Sequence, residues 1–245
     1  MPLIVIPTNA PGGGAAVPPL DIPWKFAWWY GADSGNESLN SSNAPATDAE
    51  TVTKLIDQHP GVFASSSAGS AILQTANKGV YFGGAASMDI GNVLGEIVDT
   101  ATFEMMIVLD LSGTSDNQRA FELNGAGGYV RVVTNASTGN VQAIVSDGSD
   151  KTATLSTSPV GLHLIGARYS RSVNVIVSLD GVDSAPTSVG ATTTVSTIGG
   201  RLMASRINTS YTTGVVKALF IIDSLLSGAQ RANMLAWARS TFSTP

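Results

Sequence analysis

The chain has 245 residues, among them 13 Lys or Arg, 18 Asp or Glu, 28 Ser, 23 Thr and 26 Gly, with no Cys and a formal net charge of −5. Its 43% of apolar residues supplies a core, and at this length an all-β sandwich fits within one domain. The absence of cysteine excludes disulfides, thiolate zinc sites and Cys nucleophiles, and the 13 scattered cations form no phosphate-binding footprint, so nucleic acid is not an expected partner.

Six of the 11 prolines fall at Pro2, Pro7, Pro11, Pro18, Pro19 and Pro23, with Gly12, Gly13 and Gly14 between them. Proline fixes φ and removes a donor, so residues 1–23 are expected to form an extended arm ahead of a domain at 24–245. Leu3, Ile4, Val5 and Ile6 make its one strand-like run. An arm with so little apolar surface orders only on a support, either its own domain or a neighbouring subunit. The second case implies an assembly or homo-oligomer docked through Leu3, Ile4, Val5, Ile6, Pro18 and Pro19. The N-terminus lacks the cationic region of a secretory signal and no run approaches 18 apolar residues, so synthesis in the cytoplasm and no membrane partner are expected.

Thr47 and Glu50 have capping-box spacing ahead of Val52, Leu55 and Ile56, which predicts a short helix at 48–58 ending before Pro60. Over FEMMIVLDL, Phe103, Met105, Ile107, Leu109 and Leu111 alternate with Glu104 and Asp110, the pattern of a strand with one buried face. Further strand-like runs lie at 129–134, 141–146, 161–169, 172–179 and 214–223, separated by NGAGG, NASTGN, SDGSD and DGVD. Short strands with such punctuation predict an antiparallel two-sheet sandwich. From Ser227 the period changes: Ser227 with Gln230 forms a capping box, and Met234, Leu235, Ala238 and Phe242 recur at helical spacing.

Little in these residues suggests catalysis. His163 alternates with Ile165 and Ala167 and reads as a packed side chain; His59, before Pro60, reads as a surface residue; and G-x-S-x-G does not occur. Trp24, Trp28, Trp29 and Tyr30 supply rings for stacking on a sugar. In a strand Trp28 and Tyr30 share a face opposite Trp29, so at least one side is expected in the core.

The order of the pieces resembles the concanavalin A-like lectin/glucanase superfamily, in its laminin-G-like and pentraxin-like branch. AWWYGADSGNESL (27–39) is similar to that family's opening strand and loop, VYFGGAASMDI (80–90) to its "v-x-F-d-G" strand, and GLHLIGARYSRSVNVIVSLDGVDSA (161–185) to its "W-H-x-v … y-v-D-G" hairpin. GVVKALFIIDSLLSGAQRANMLAWARSTF (214–242) resembles its closing strand, turn and helix. Leu162 stands where the family often has Trp, and Gly83 where it often has Asp. The resemblance implies a jelly-roll sandwich and makes VTKLIDQHPGVFASSS (52–67) extended, against the helix read from the capping box. It also implies a non-enzymatic module, because the E-x-D-x-x-E strand of the family's glucanases is missing. Glu104 and Asp110, the nearest pairing on one face, are roughly 20 Å apart at ~3.4 Å per residue, beyond the ~5–9.5 Å a glycosidase pair needs.

The residues themselves call for no cofactor. The resemblance brings in Ca2+, with Asp110, Asp116 and Asn117, Asp147 and Asp150, and Asp180 and Asp183 as candidate ligands; solvated turn residues are the alternative. The expected function is a structural or binding module of a larger assembly, set in a phage virion as a capsid decoration (cement) or tail-associated protein docking on other virion proteins through its arm. The alternative is a carbohydrate-binding module that meets a surface glycan through Trp28, Trp29 and Tyr30.

Overall fold

A computed structural model describes residues 18–19, 21–22, 24–31, 38–57, 63–90, 102–112, 118–125, 128–135, 138–146, 149–190, 199–205 and 211–245. In chain order the strands are β1 Trp24–Trp29, β2 Ser38–Leu39, β3 Thr51–Val52, β4 Lys54–Ile56, β5 Phe63–Ala68, β6 Ala71–Gln74, β7 Gly79–Phe82 and β8 Ser87–Asp89. There follow β9 Thr102–Leu111, β10 Gln118–Gly125, β11 Gly128–Asn135, β12 Asn140–Ser146, β13 Asp150–Leu155 and β14 Gly161–Ser170. The last are β15 Asn174–Leu179, β16 Val182–Asp183, β17 Thr187–Ser188, β18 Gly199–Leu202 and β19 Gly214–Ile222, and one helix, α1, spans Gly228–Phe242.

The strands form two antiparallel sheets. The first runs β16-β15-β14-β9-β19-β7-β6-β3, with β1 also on β19 and β17 on β15; the second runs β13-β12-β11-β10-β18-β8-β5-β4-β2. Between them lies the main core, fed by alternate residues of each strand: Phe103, Met105, Ile107 and Leu109 from β9, Ile165, Ala167 and Tyr169 from β14, and Val130 and Val132 from β11. The architecture is the expected two-sheet sandwich with one C-terminal helix.

The expectation of one buried face on β9 is corrected. Met106 and Val108, on its other face, are also buried, in a second core with Trp29, Ala218, Phe220, Met234, Trp237, Ala238 and Phe242. The cover is α1. Its N-terminus is fixed by the capping box read in the sequence, Gln230 N donating to Ser227 Oγ at 3.2 Å and Ser227 N to Gln230 Oε1 at 2.9 Å. Phe220 and Trp237 meet edge-on at 5.3 Å between ring centroids, and Trp237 and Phe242 at 5.4 Å, pairs worth about 0.5–1.5 kcal/mol each beyond area burial.

The helix predicted at 48–58 is corrected over its described residues, 48–57, where the chain forms β3 and β4 in line with the resemblance; residue 58 lies outside the described residues. Half of its box does form: Glu50 Oε2 accepts from Thr47 N and Oγ1 at 2.8 and 3.1 Å, while Glu50 N donates to the Thr47 carbonyl and not to its hydroxyl. But Ala49 sits at φ +61°, outside helical backbone, and the β-branched run Thr51, Val52, Thr53 then extends. Thr51 and Val52 pair with β6 in the first sheet, whereas Lys54 to Ile56 pair with β5 in the second. Thr53 makes the crossing, its N and Oγ1 donating to Leu39 O and its Oγ1 also to Asn40 O at 2.7 Å.

Two charged groups brace the first sheet. Glu104, fully buried beneath α1, accepts from Leu226 N at 3.0 Å and from Arg231 Nη1 at 3.4 Å through Oε2; burial pushes its carboxyl above the usual glutamate range. At the turn joining β15 to β16, Asp180 accepts from Leu164 N at 2.9 Å and faces His163 Nδ1 at 2.5 Å, while His163 Nε2 faces Val160 O at 3.1 Å. With both ring nitrogens on acceptors, the imidazolium is the form that satisfies the site, and the Asp180 hydrogen bond raises the pKa of His163.

These braces predict different responses. Glu104→Ala, which strands the Leu226 N–H, should lower the free energy of unfolding at neutral pH by about 1–3 kcal/mol in denaturant titrations. Glu104→Gln, which keeps the acceptor without the buried charge, should cost less than about 1 kcal/mol or stabilise. Any such gain should shrink as pH falls toward the ordinary glutamate range, where the native carboxyl is protonated. His163 acts in the other sense: its stabilisation is complete below the ordinary histidine value of 6.5 and is lost as pH rises through its elevated native value. The wild type should therefore lose stability relative to His163→Gln as pH is raised through neutrality; a constant difference refutes the charged pair.

Candidate functional site

The structure places the stacking candidates in the interior. β1 pairs with β19, a strand buried along its whole length, so both faces of β1 are covered. Trp28 lies wholly in the main core, Trp29 sits beneath α1 with Phe220 and Trp237 each 6.3 Å away, and Tyr30 is half-buried against the main core. Neither tryptophan offers an open ring face as a glycan platform. Among the cation candidates, Asp180 is occupied by His163 and Leu164, and Asp183 pairs with Arg168 Nη2 at 2.5 Å. Asp150 is engaged by Tyr129 and Arg131, and Asp110 lies half-buried at the far end of β9 from Glu104. Asp116, Asn117, Asp147, His59 and the run Leu3 to Ile6 lie outside the described residues, and among the described residues no three His, Asp or Glu converge as metal ligands. Of the arm, Pro18 is buried and Pro19 half-buried.

A polar constellation absent from the sequence reading stands on the outer face of the second sheet. Because Phe121, Leu123, Val130, Val132, Val141, Ala143, Leu202 and Met88 point into the core, their neighbours Glu122, Arg131, Ile144, Arg201 and Asp89 point outward. The register then aligns them: Arg131 is opposite Glu122, Glu122 opposite Arg201, and Arg201 opposite Asp89. Charge thus alternates across four adjacent strands, in the order in which opposite cross-strand charges stabilise a sheet.

Neighbouring side chains extend the row. A bulge between Arg119 and Phe121 returns Arg119 to this face, where its Nη1 pairs with Glu122 Oε2. Arg201 Nη1 lies 2.7 Å from Asp89 Oδ2. The Arg131 guanidinium stacks 4.3 Å above the Tyr129 ring and lies 3.5 Å from Asp150 Oδ2, while the Tyr129 hydroxyl donates to Asp150 Oδ1 at 2.6 Å. Burial, followed by the bond to Asp150, raises the pKa of Tyr129 and keeps the phenol a donor. Next to them Gln142 Nε2 donates to Thr154 Oγ1 at 3.1 Å.

These groups are half sunk in the sheet surface. The side chains of Arg119, Arg131 and Arg201 are each 18% exposed, and that of Glu122 is 6% exposed. The Nε atoms of the same three arginines are buried without a hydrogen-bond partner, so what a ligand can reach is the exposed 18% of each side chain. Three cations face three carboxylates, and the face carries planar donors and acceptors without net charge. Such a surface matches ligands that present donor and acceptor together on adjacent carbons, as vicinal hydroxyls do. The sequence signal was the outward charge in each strand, but only the register shows that the charges form one row.

No family model matches the chain, and no curated protein matches it in sequence. Solved structures do match. The carbohydrate-binding module CBM40 of the Ruminococcus gnavus IT-sialidase aligns with a TM-score of 0.53 at 9% identity, covering 65% of this chain and 95% of that module. A botulinum neurotoxin type C structure, described by its interaction with two ganglioside molecules, aligns at 0.58 and 9% identity over 82% of this chain and 51% of its own. Trypanosoma rangeli sialidase aligns at 0.61 and 10% identity over 98% of this chain but only 36% of its own. At such low identities the likeness is one of fold alone, that of a β-sandwich.

Proposed function

We propose that this chain is a non-catalytic carbohydrate-binding module that takes a surface glycan on the outer face of its second sheet. The observation that carries the reading is the row Asp89, Arg201, Glu122, Arg131, backed by Tyr129 and Asp150. Fold neighbours support the same class of ligand: the R. gnavus module has been solved with α2,3 sialyllactose, and the neurotoxin structure concerns gangliosides. A setting in a virion, with the arm docked on other virion proteins, draws no support from these neighbours. Glu104, whose carboxyl burial pushes upward as in a general acid, is sealed under α1 on the other sheet, away from this face.

The test is a glycan array that includes sialylated and neutral surface oligosaccharides, followed by titration of the best ligand. Micromolar binding is expected. Arg131→Ala should weaken it about 10–100-fold, the equivalent of a hydrogen bond to a charged group, while the free energy of unfolding falls by no more than about 1 kcal/mol, the scale of a cross-strand pair. Tyr129→Phe should weaken it less, since the ring remains beneath Arg131. Absence of any glycan ligand, or undiminished binding by Arg131→Ala, would overturn the assignment.

A further inference from the structure

On the opposite side of the molecule, between α1 and the outer face of the first sheet, lies a cleft of about 300 Å³. Gly166 forms part of its floor, where it leaves room for the Ser178 hydroxyl. This residue sits within β14, opposite Met106 on β9 and Ser178 on β15, in a row that otherwise carries side chains up against the helix. A Cβ there would come within 2.5 Å of Ser178 Oγ and 3.9 Å of Met106 Cγ. Glycine inside a strand costs stability and marks places where something else approaches the backbone closely. Above it the helix presents Gly228, Arg231, Ala232 and Leu235.

The lining divides by chemistry. Met106, Leu164, Ala232 and Leu235 make apolar walls, while Ser178, Asp183 and Arg231 make a polar end. Each charged lining residue is backed by a buried partner of opposite sign, Arg231 by Glu104 and Asp183 by Arg168, so the polar end is charge-balanced. That system is under-bonded: Glu104 Oε1 and Arg168 Nε, both buried, lack hydrogen-bond partners. A balanced quartet gives no advantage to an ionic ligand and desolvates an uncompensated charge at a cost, whereas a hydroxyl both donates to a carboxylate and accepts from a guanidinium.

We infer that this cleft is a second binding site, independent of the glycan face, for a small neutral amphipathic molecule with an apolar body and a hydroxyl head. The body lies between Leu164 and Leu235 and the head meets Ser178, Asp183 and Arg231. At this volume, the low end for small-molecule pockets, the ligand is of the size of an aryl alcohol and smaller than a disaccharide.

The experiment uses three probes with one body and different heads: benzyl alcohol, benzoate and benzylamine, titrated into the methyl-labelled full chain and followed by NMR. Benzyl alcohol should give saturable shifts at the Met106, Leu164 and Leu235 methyls, and the two charged probes should bind at least tenfold more weakly. Ala232→Trp, at an exposed helix position over the cleft, and Gly228→Leu, where a Cβ meets nothing within 4 Å, should each weaken benzyl alcohol at least tenfold. Two variants keep the test open if one fails to fold. No saturable shift, equal binding of a charged probe, or unchanged binding by a folded cleft-filling variant would each refute the site.

Discussion

The constraint on which this molecule turns is that the central strands of its first sheet are apolar on both faces. β19 is buried at every position, and β9 at all but its two ends' polar residues. A sheet in a sandwich has one face covered by its partner sheet; the other needs a separate cover, because exposed apolar area of this extent costs about 25 cal/mol per Å². The C-terminal helix meets that requirement. Its position in turn dictates that Trp29 is interior, that Glu104 must be held by Leu226 N and Arg231 instead of by water, and that any gap left beneath the helix becomes a lined cleft.

The second sheet solves a different problem. Its inner face joins the main core, and no helix among the described residues packs on its outer face. There the strands carry arginines and carboxylates at facing positions, which satisfy one another sideways and keep part of each side chain toward solvent. The two outer faces therefore divide the labour: one is covered by the helix and apolar, with a small amphipathic gap, and the other, among the described residues, is charged and hydrogen-bonding.

The sequence showed those parts of this arrangement that rest on local rules. The Ser227–Gln230 box and the recurrence of Met234, Ala238 and Phe242 marked α1, and alternation along residues 103–111 marked β9. The same local rule misled at Thr47–Glu50, where the Glu50 carboxylate reaches back to Thr47 N but Ala49 directs the backbone away from helix; short-range capping does not decide whether helix follows. Burial of Trp28 and Trp29 was half legible, since one face had to be core, but that both faces are covered depends on β1 pairing with β19 nearly 200 residues later. The row of charges on the second sheet was illegible for the same reason. Arg131, Glu122, Arg201 and Asp89 are scattered over three separate stretches of chain, and only strand register brings them into line.

The pairing of β1 with β19 also bears on how the sandwich resists opening. Trp24 lies opposite Ile222, and Gln230 Nε2 reaches back to Asp21 O, so the first strand is held both by the last strand and by the first turn of the helix that covers it. Sequence-distant segments thus close one another, and β1 cannot leave the sheet without also giving up a hydrogen bond to α1 and uncovering Trp29.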